Sequence, residues 1–242
     1  MNAIKSISLV KRYKNLTAVD QLDLEIHQGE LFSLLGVNGA GKTTAIKMLS
    51  CLTKPTSGDA MVGGYSIIKE AEQVKGLIGV SPQETAVAPN LSVRENLELI
   101  CGIHGFSKEK TLRKIEELSD MFHLDEVLGR KAGKLSGGWQ RRISIAMALI
   151  SEPKILFLDE PTLGLDVLAR HDLWETIEAL KGKVTIILTT HYMEEAETLS
   201  DRIGIMKEGK LLAVGTVTEL NEIAGTKDFE KTFVSIVKEA AV

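Results

Sequence analysis

The chain has 242 residues, enough for one large domain or a domain with a subdomain around a substantial core. With 44% apolar and 26% charged residues, a net charge of -4 and a pI near 5.8, it has ordinary globular composition and no basic bias toward nucleic acid. Cys51 and Cys101 form no CxxC pair and are too few for a disulfide framework, so both are read as buried small hydrophobes in a reducing compartment. The opening "MNAIKSISLVKRYKN" lacks the pattern of a secretory signal, and no apolar span reaches 18 residues. A cytoplasmic protein is expected, with any membrane work done through a partner.

In chain order, short strand-like runs come first. "LDLEI" (Leu22–Ile26) alternates, "HQGE" reads as a turn, and "LFSLL" (Leu31–Leu35) is nearly all apolar. That run empties into a glycine-rich loop and then a helix, "TTAIKMLSCL"; "AMVGG" and "LIGV" are further strands. From about Pro89 to Ile150 the periodicity turns helical, with Leu112, Ile115, Leu118 and Phe122 on one face, predicting an inserted helical subdomain. The apolar runs "ILFL" (Ile155–Leu158) and "VTIILTT" (Val184–Thr190) suit strands of a parallel sheet buried on both faces. Between them "HDLWETIEALKG" reads as a helix closed by Gly182, and "RIGIM-KEGK-LLAV" as a hairpin turning at Glu208 and Gly209. The expected fold is α/β, a P-loop NTPase core with a mostly parallel sheet. To it are added an antiparallel N-terminal β subdomain and the helical subdomain at about 89–150. One unit would span 1–225, with a short helical tail at 226–242 that places Phe229, Phe233, Ile236 and Val237 at helical spacing.

Chemistry concentrates in three places. "GVNGAGKTT" (Gly36, Val37, Asn38, Gly39, Ala40, Gly41, Lys42, Thr43, Thr44) matches GxxxxGK[ST] between a buried strand and a helix. Its glycines let successive N–H groups curl into an anion nest, and the following helix points its positive dipole end at the same place. Lys42 can reach the β- and γ-phosphates, and the Thr43 hydroxyl can ligate Mg²⁺. "ILFLDEP" puts Asp159 and Glu160 at the carboxyl end of a strand, where ligands of open α/β sheets collect. Asp159 would hold Mg²⁺ through its water shell, and Glu160 would polarise the attacking water as general base. Alone, the same pair reads as acids capping a helix before Pro161. Third, "LSGGWQRR" sets two glycines at a helix start with no nucleophile or metal ligand nearby.

Taken in order, these motifs resemble the ATP-binding subunit of an ATP-binding cassette (ABC) transporter, over about Ile4 to Ile223. The resemblance implies that Leu135, Ser136, Gly137 and Gly138 are the signature, which binds the γ-phosphate of ATP held by the other subunit of a head-to-tail dimer. Ser136 suits an N-cap, and bare glycines let a second protein's nucleotide come close. It also implies that Gln83 in "VSPQE" reaches Mg²⁺ and the attacking water, that His191 is the switch histidine on the γ-phosphate, that Asp166 in "LGLD" joins the two nucleotide sites, and that Tyr13 stacks on adenine. On sequence alone, a plain surface residue is the alternative for Gln83, and a surface-strand tyrosine the alternative for Tyr13. Val37 departs from a frequent proline, and Trp139 from the usual glutamine.

The cofactors so implied are ATP and Mg²⁺. The partners are a separate transmembrane permease subunit and a second ATPase subunit, the two motif-complete sites favouring a homodimer, with no nucleic acid. The location would be peripheral on the inner face of the membrane. "LTKPTSGDAMVGGYSI", "IGVSPQE" and "LSVRENLELICGIHG" resemble bacterial export-type cassettes for drugs, lipids, polysaccharides or ions. An importer ATPase, or a regulatory cassette that remodels at the membrane without moving solute, are the alternatives.

Overall fold

The computed structural model describes residues 1–239. Strands β1 (Asn2–Tyr13) and β2 (Leu16–His27) form a long hairpin, and β3 (Leu31–Leu35) leads through the glycine loop into α1 (Lys42–Leu49). Next come β4 (Ser57–Val62), β5 (Tyr65–Ser66), α2 (Ala71–Lys75) and β6 (Ile78–Ser81). The helical stretch holds α3 (Val93–Ile103), α4 (Lys108–Phe122) and α5 (Gly137–Leu149). The remainder alternates: β7 (Ile155–Asp159), α6 (Val167–Glu178), β8 (Thr185–Thr190), α7 (Met193–Leu199), β9 (Arg202–Lys207), β10 (Lys210–Gly215), α8 (Val217–Ala224) and α9 (Phe229–Glu239).

Two sheets result. The antiparallel one is ordered β2-β1-β4-β5, and the larger β10-β9-β3-β8-β7-β6. In the larger sheet every pairing is parallel except that of β10 with β9. Every residue of β3, β7 and β8 is buried, as expected for strands covered on both faces. The α/β class, the antiparallel N-terminal sheet and the inserted helices are as the sequence indicates. One apolar cluster joins α1 and the N-terminal sheet to one face of the large sheet. Another joins the opposite face to α3, α4, α5 and α6. α5 belongs to both parts, since it buries Ile143 and Ala146 in the helical cluster and also packs on β6 and β7.

Three local readings are corrected. The N-terminal strands are longer than the short runs read there, at 12 residues each, because register shifts around Ser8 and Gln21, both at positive φ, let the hairpin bend without ending. Helix α6 starts at Val167 and ends at Glu178; Leu180 and Lys181 then donate to the carbonyls of Ile177 and Glu178 in a tight turn. Gly182 does not cap the helix: at φ 75° its N–H reaches the carbonyl of Gly29 at 3.3 Å. Leu112 is 50% exposed, so the buried stripe of α4 is Ile115, Leu118, Ser119 and Phe122. The tail helix α9 docks on its own chain, burying Phe229, Thr232, Phe233 and Ile236 against α7, α8, β9 and β10.

Candidate functional site

The carboxyl ends of β3, β7 and β8 converge on one cleft of about 640 Å³, the location at which open α/β sheets bind ligands. Two glycines fix the loop on its floor. A Cβ at Gly36 would lie 2.4 Å from the carbonyl oxygen of Met206, and one at Gly41 2.3 Å from that of Ala18, where φ is 103°. Neither position accepts a side chain without moving backbone. Lys42, 4% exposed, donates to the carbonyls of Gly36 at 2.8 Å and Val37 at 3.2 Å, so its ammonium is held in the bowl of its own loop. Burial pushes the Lys42 ammonium pKa down, against the opposing pull of Glu160 and Asp159.

The acidic pair divides as its strand-end geometry allows. The Thr43 hydroxyl donates to Asp159 Oδ1 at 3.0 Å, and the Thr189 hydroxyl donates to the same oxygen. Glu160 points the other way: Oε1 is 3.5 Å from Lys42 Nζ, and Oε2 is 3.2 Å from His191 Nδ1. That last approach lies off the line of a hydrogen bond, and Nδ1 is buried without a partner. Glu160 adopts φ 47°, a left-handed conformation costly for a residue with a side chain. Its N–H donates to both the carbonyl and the hydroxyl oxygen of Thr189, each at 3.1 Å. Thr189 therefore braces Asp159 and Glu160 together.

Tyr13, Asn38, Gly39, Ala40, Gly41, Lys42, Thr43, Thr44, Gln83, Glu160 and His191 all line the cleft. Tyr13 is 45% exposed at its rim, with Lys11 Nζ 5.0 Å from the ring centroid. Gln83 offers a free side chain, while its carbonyl and that of Pro82 accept from the guanidinium of Arg141 on α5, the latter at 2.6 Å. Asn96 clamps the loop that follows, accepting from Ala88 N at 2.8 Å and donating to the carbonyls of Ala88 and Ser92. Val37 is exposed beside the cleft.

Leu135, Ser136, Gly137, Gly138 and Asp166 do not line it. Leu135 is buried, but Ser136 and Gly137 are exposed at the start of α5, and the Ser136 hydroxyl caps nothing. Ser136 is the N-cap residue of α5 by its backbone angles, as the sequence suggests, but its hydroxyl makes no cap bond. A Cβ on Gly138 would lie 3.2 Å from Ala169 Cβ, so the signature turn packs on the start of α6. Asp166 caps that helix, accepting from Ala169 N at 2.9 Å. Trp139 is half-buried against the helical cluster, with the Arg142 guanidinium 5.1 Å from its ring centroid.

Sequence reasoning missed Thr189, Arg141 and Glu195. Arg141 is 4% exposed, and burial lowers its pKa against the charges of Asp159 and Glu195. Glu195 on α7 is fully buried; burial pushes its carboxyl up, while the hydroxyls of Thr190 and Thr162, the Trp174 indole and the Arg170 charge pull it back. "QRR" was the only sequence cue to Arg141, and the two threonines closing "TIILTT" the only cue to Thr189.

A glycine loop closing on a buried lysine, a hydroxyl–carboxylate pair and a strained glutamate beside a histidine define a P-loop site for nucleoside triphosphate hydrolysis. The profile of the ABC transporter family matches residues 19–163, more than half of the chain, and the chain belongs to that family. It is an ATP-binding, ATP-hydrolysing subunit. The daunorubicin resistance ATP-binding protein DrrA3 of Streptomyces coeruleorubidus is 40% identical over 216 residues, covering 89% of this chain and 68% of that protein. The Nod factor export ATP-binding protein I of Burkholderia thailandensis is 42% identical over 214 residues, covering 88% and 70%. A dimeric ATP-binding cassette solved in a post-hydrolysis state with ADP and Pi superimposes with a TM-score of 0.79 at 28% identity, covering 88% of this chain and 98% of that one. Among the described residues no helix is long and apolar enough to cross a membrane.

Proposed function

We propose that two copies of this chain close head to tail around two ATP molecules and so drive a separate transmembrane permease that exports a small molecule or lipid. One observation carries the reading: the phosphate loop, Glu160 and His191 share one cleft, with Asp159 just beneath it on the Thr43 hydroxyl, while the uncapped start of α5 lies exposed outside it. A helix start rich in free N–H groups attracts phosphate, and here that start has none of its own chain's phosphate site to serve. It is suited to the nucleotide of a second subunit.

In this reading the loop N–H groups and Lys42 cradle the triphosphate, and Tyr13 stacks on the base. Thr43 and Asp159 fit a Mg²⁺ ion: a hydroxyl and a single carboxylate 3.0 Å apart give hard oxygen donors of the kind Mg²⁺ takes while keeping waters and phosphate oxygens. No group of three or more His, Cys, Asp or Glu side chains among the described residues forms an all-protein cage. Gln83 is the third candidate ligand. When bound, the ion would neutralise charge on the β- and γ-phosphates. Glu160 accepts the proton of the attacking water as the bond from γ-phosphorus to the ADP oxygen breaks. His191, beside Glu160, hydrogen-bonds the γ-phosphate, and Asp166 joins the two sites across the dimer. The domain limits 1–225 and 226–242 are read as one cassette with a tail that docks on it as far as residue 239, residues 240–242 lying outside the described residues. The clamp of Arg141 on Pro82 and Gln83 supports transmission from the site to the helices at about 89–150.

Export is supported by the resistance and export roles in the names of DrrA3 and the Nod factor protein. The chain would then lie on the inner face of the membrane through its permease. Affinity purification from detergent-solubilised membranes tests this. Recovery of a membrane-spanning subunit without a cassette of its own is expected, and recovery with a solute-binding protein of the import type would overturn export. Phosphate release by Lys42→Ala tests the site: rates equal to wild type would remove the phosphate loop from it.

A further inference from the structure

Glu195 is the buried acid that this mechanism leaves unused. Its Oε1 accepts from Trp174 Nε1 on α6 at 3.0 Å, spanning 21 residues of sequence. Its Oε2 is buried without a hydrogen-bond partner, and so is the hydroxyl of Thr162. The carboxyl faces the hydroxyls of Thr162 and Thr190. Thr162 lies in the turn that leaves Glu160, where Leu163 N donates to the Glu160 carbonyl at 3.2 Å and Leu165 N to that of Thr162 at 3.1 Å. Thr190 precedes His191; its carbonyl accepts from Gly36 N at 3.2 Å and its hydroxyl from Tyr192 N at 2.9 Å. Trp174 sits on the helix whose first turn is capped by Asp166.

We propose that Glu195 is a positioning residue that ties the turn after Glu160 and the strand end bearing His191 to the helix carrying Asp166. An isolated carboxyl in apolar surroundings is costly, and an apolar side chain of similar volume would fill the same space more favourably. What the carboxyl adds is direction: one oxygen is committed to α6 through Trp174, and the other is buried without a partner, close enough for the hydroxyls of Thr162 and Thr190 to act on the carboxyl. A displacement of α6 at Asp166 is then felt through Trp174 and Glu195 at both Glu160 and His191, with no contact between Glu195 and nucleotide. This links arrival of the second subunit to readiness for hydrolysis.

The proposal rests on the roles given above to Glu160 and His191, and steady-state ATP hydrolysis by the whole chain tests it. Glu195→Ala is expected to lower kcat about tenfold or more with KM within about threefold, as for loss of alignment and not of binding. Glu195→Gln keeps an oxygen for the Trp174 indole and gains an N–H for the threonines, so it should recover kcat to within about threefold of wild type. Trp174→Phe, which keeps the aromatic packing, should lower kcat several-fold at unchanged KM. Wild-type kcat in folded Glu195→Ala, or a loss carried by KM, overturns the proposal. If Glu195→Ala does not fold, Trp174→Phe decides by the same readouts, wild-type kcat again overturning it. Glu160→Gln run in parallel separates the two levels: full turnover there overturns the site reading itself, whereas a Glu195 failure beside an inactive Glu160→Gln leaves that reading standing.

Discussion

The phosphate cleft and the signature turn are both glycine-bearing helix starts, yet they are built in opposite ways. In the cleft the phosphate-loop lysine, the first acid and the backbone of the second are bonded within the chain: Lys42 by two loop carbonyls, Asp159 by two hydroxyls, and the strained backbone of Glu160 by Thr189. At the start of α5 the Ser136 hydroxyl caps nothing, and Ser136 and Gly137 are exposed. One region is bonded largely within the chain, and the other leaves its helix start exposed. Neither helix start has a side-chain cap, so the contrast lies in how much of the surrounding turn is buried and bonded, and it supports the proposal that the α5 start works in trans. Ser92 provides the internal control, since its hydroxyl accepts from Glu95 N while Glu95 accepts from Ser92 N, a full capping box at the start of α3.

The largest effect should come from the centre of the cleft. Glu160→Gln is expected to lower phosphate release about 100-fold or more, the range of a lost general base, while light scattering with MgATP shows a dimer. Gly41→Ala comes next, because its Cβ meets the Ala18 carbonyl in a left-handed backbone. A loss of at least about 2 kcal/mol in denaturant unfolding is expected, together with weaker nucleotide binding. An unchanged unfolding midpoint would show that the loop is not held as described. Smaller still, Ser92→Ala should cost about 1 kcal/mol through loss of the cap. Ser136→Ala should cost less than about 0.5 kcal/mol, having no cap bond to lose. If thermal melts give the two serines equal losses, the distinction between a structural cap and an outward-facing one fails.

How much of this was legible from sequence follows the same division. The phosphate loop, the Asp159–Glu160 pair and the tail helix were readable because spacing of a few residues determines them. Tyr13, Gln83 and His191 lie far apart in the chain, and only resemblance to a family assigned them to the cleft that they line. Thr189, Arg141 and Glu195 were not legible, because their partners lie 21 to 59 residues away and nothing local marks them. The misread end of α6 has a similar cause. Gly182 looked like a helix cap, but it serves a contact with Gly29, more than 150 residues earlier in the chain.

The central claim is that the signature acts on the nucleotide of another subunit, and Ser136→Arg added to Glu160→Gln tests it most directly. On one sample with Mg²⁺, fluorescent-ATP binding and molar mass by light scattering are measured together. The account predicts that nucleotide still binds with an affinity within about threefold of Glu160→Gln alone while the protein stays monomeric. Loss of nucleotide binding by the double variant, or an intact ATP-driven dimer, would contradict it.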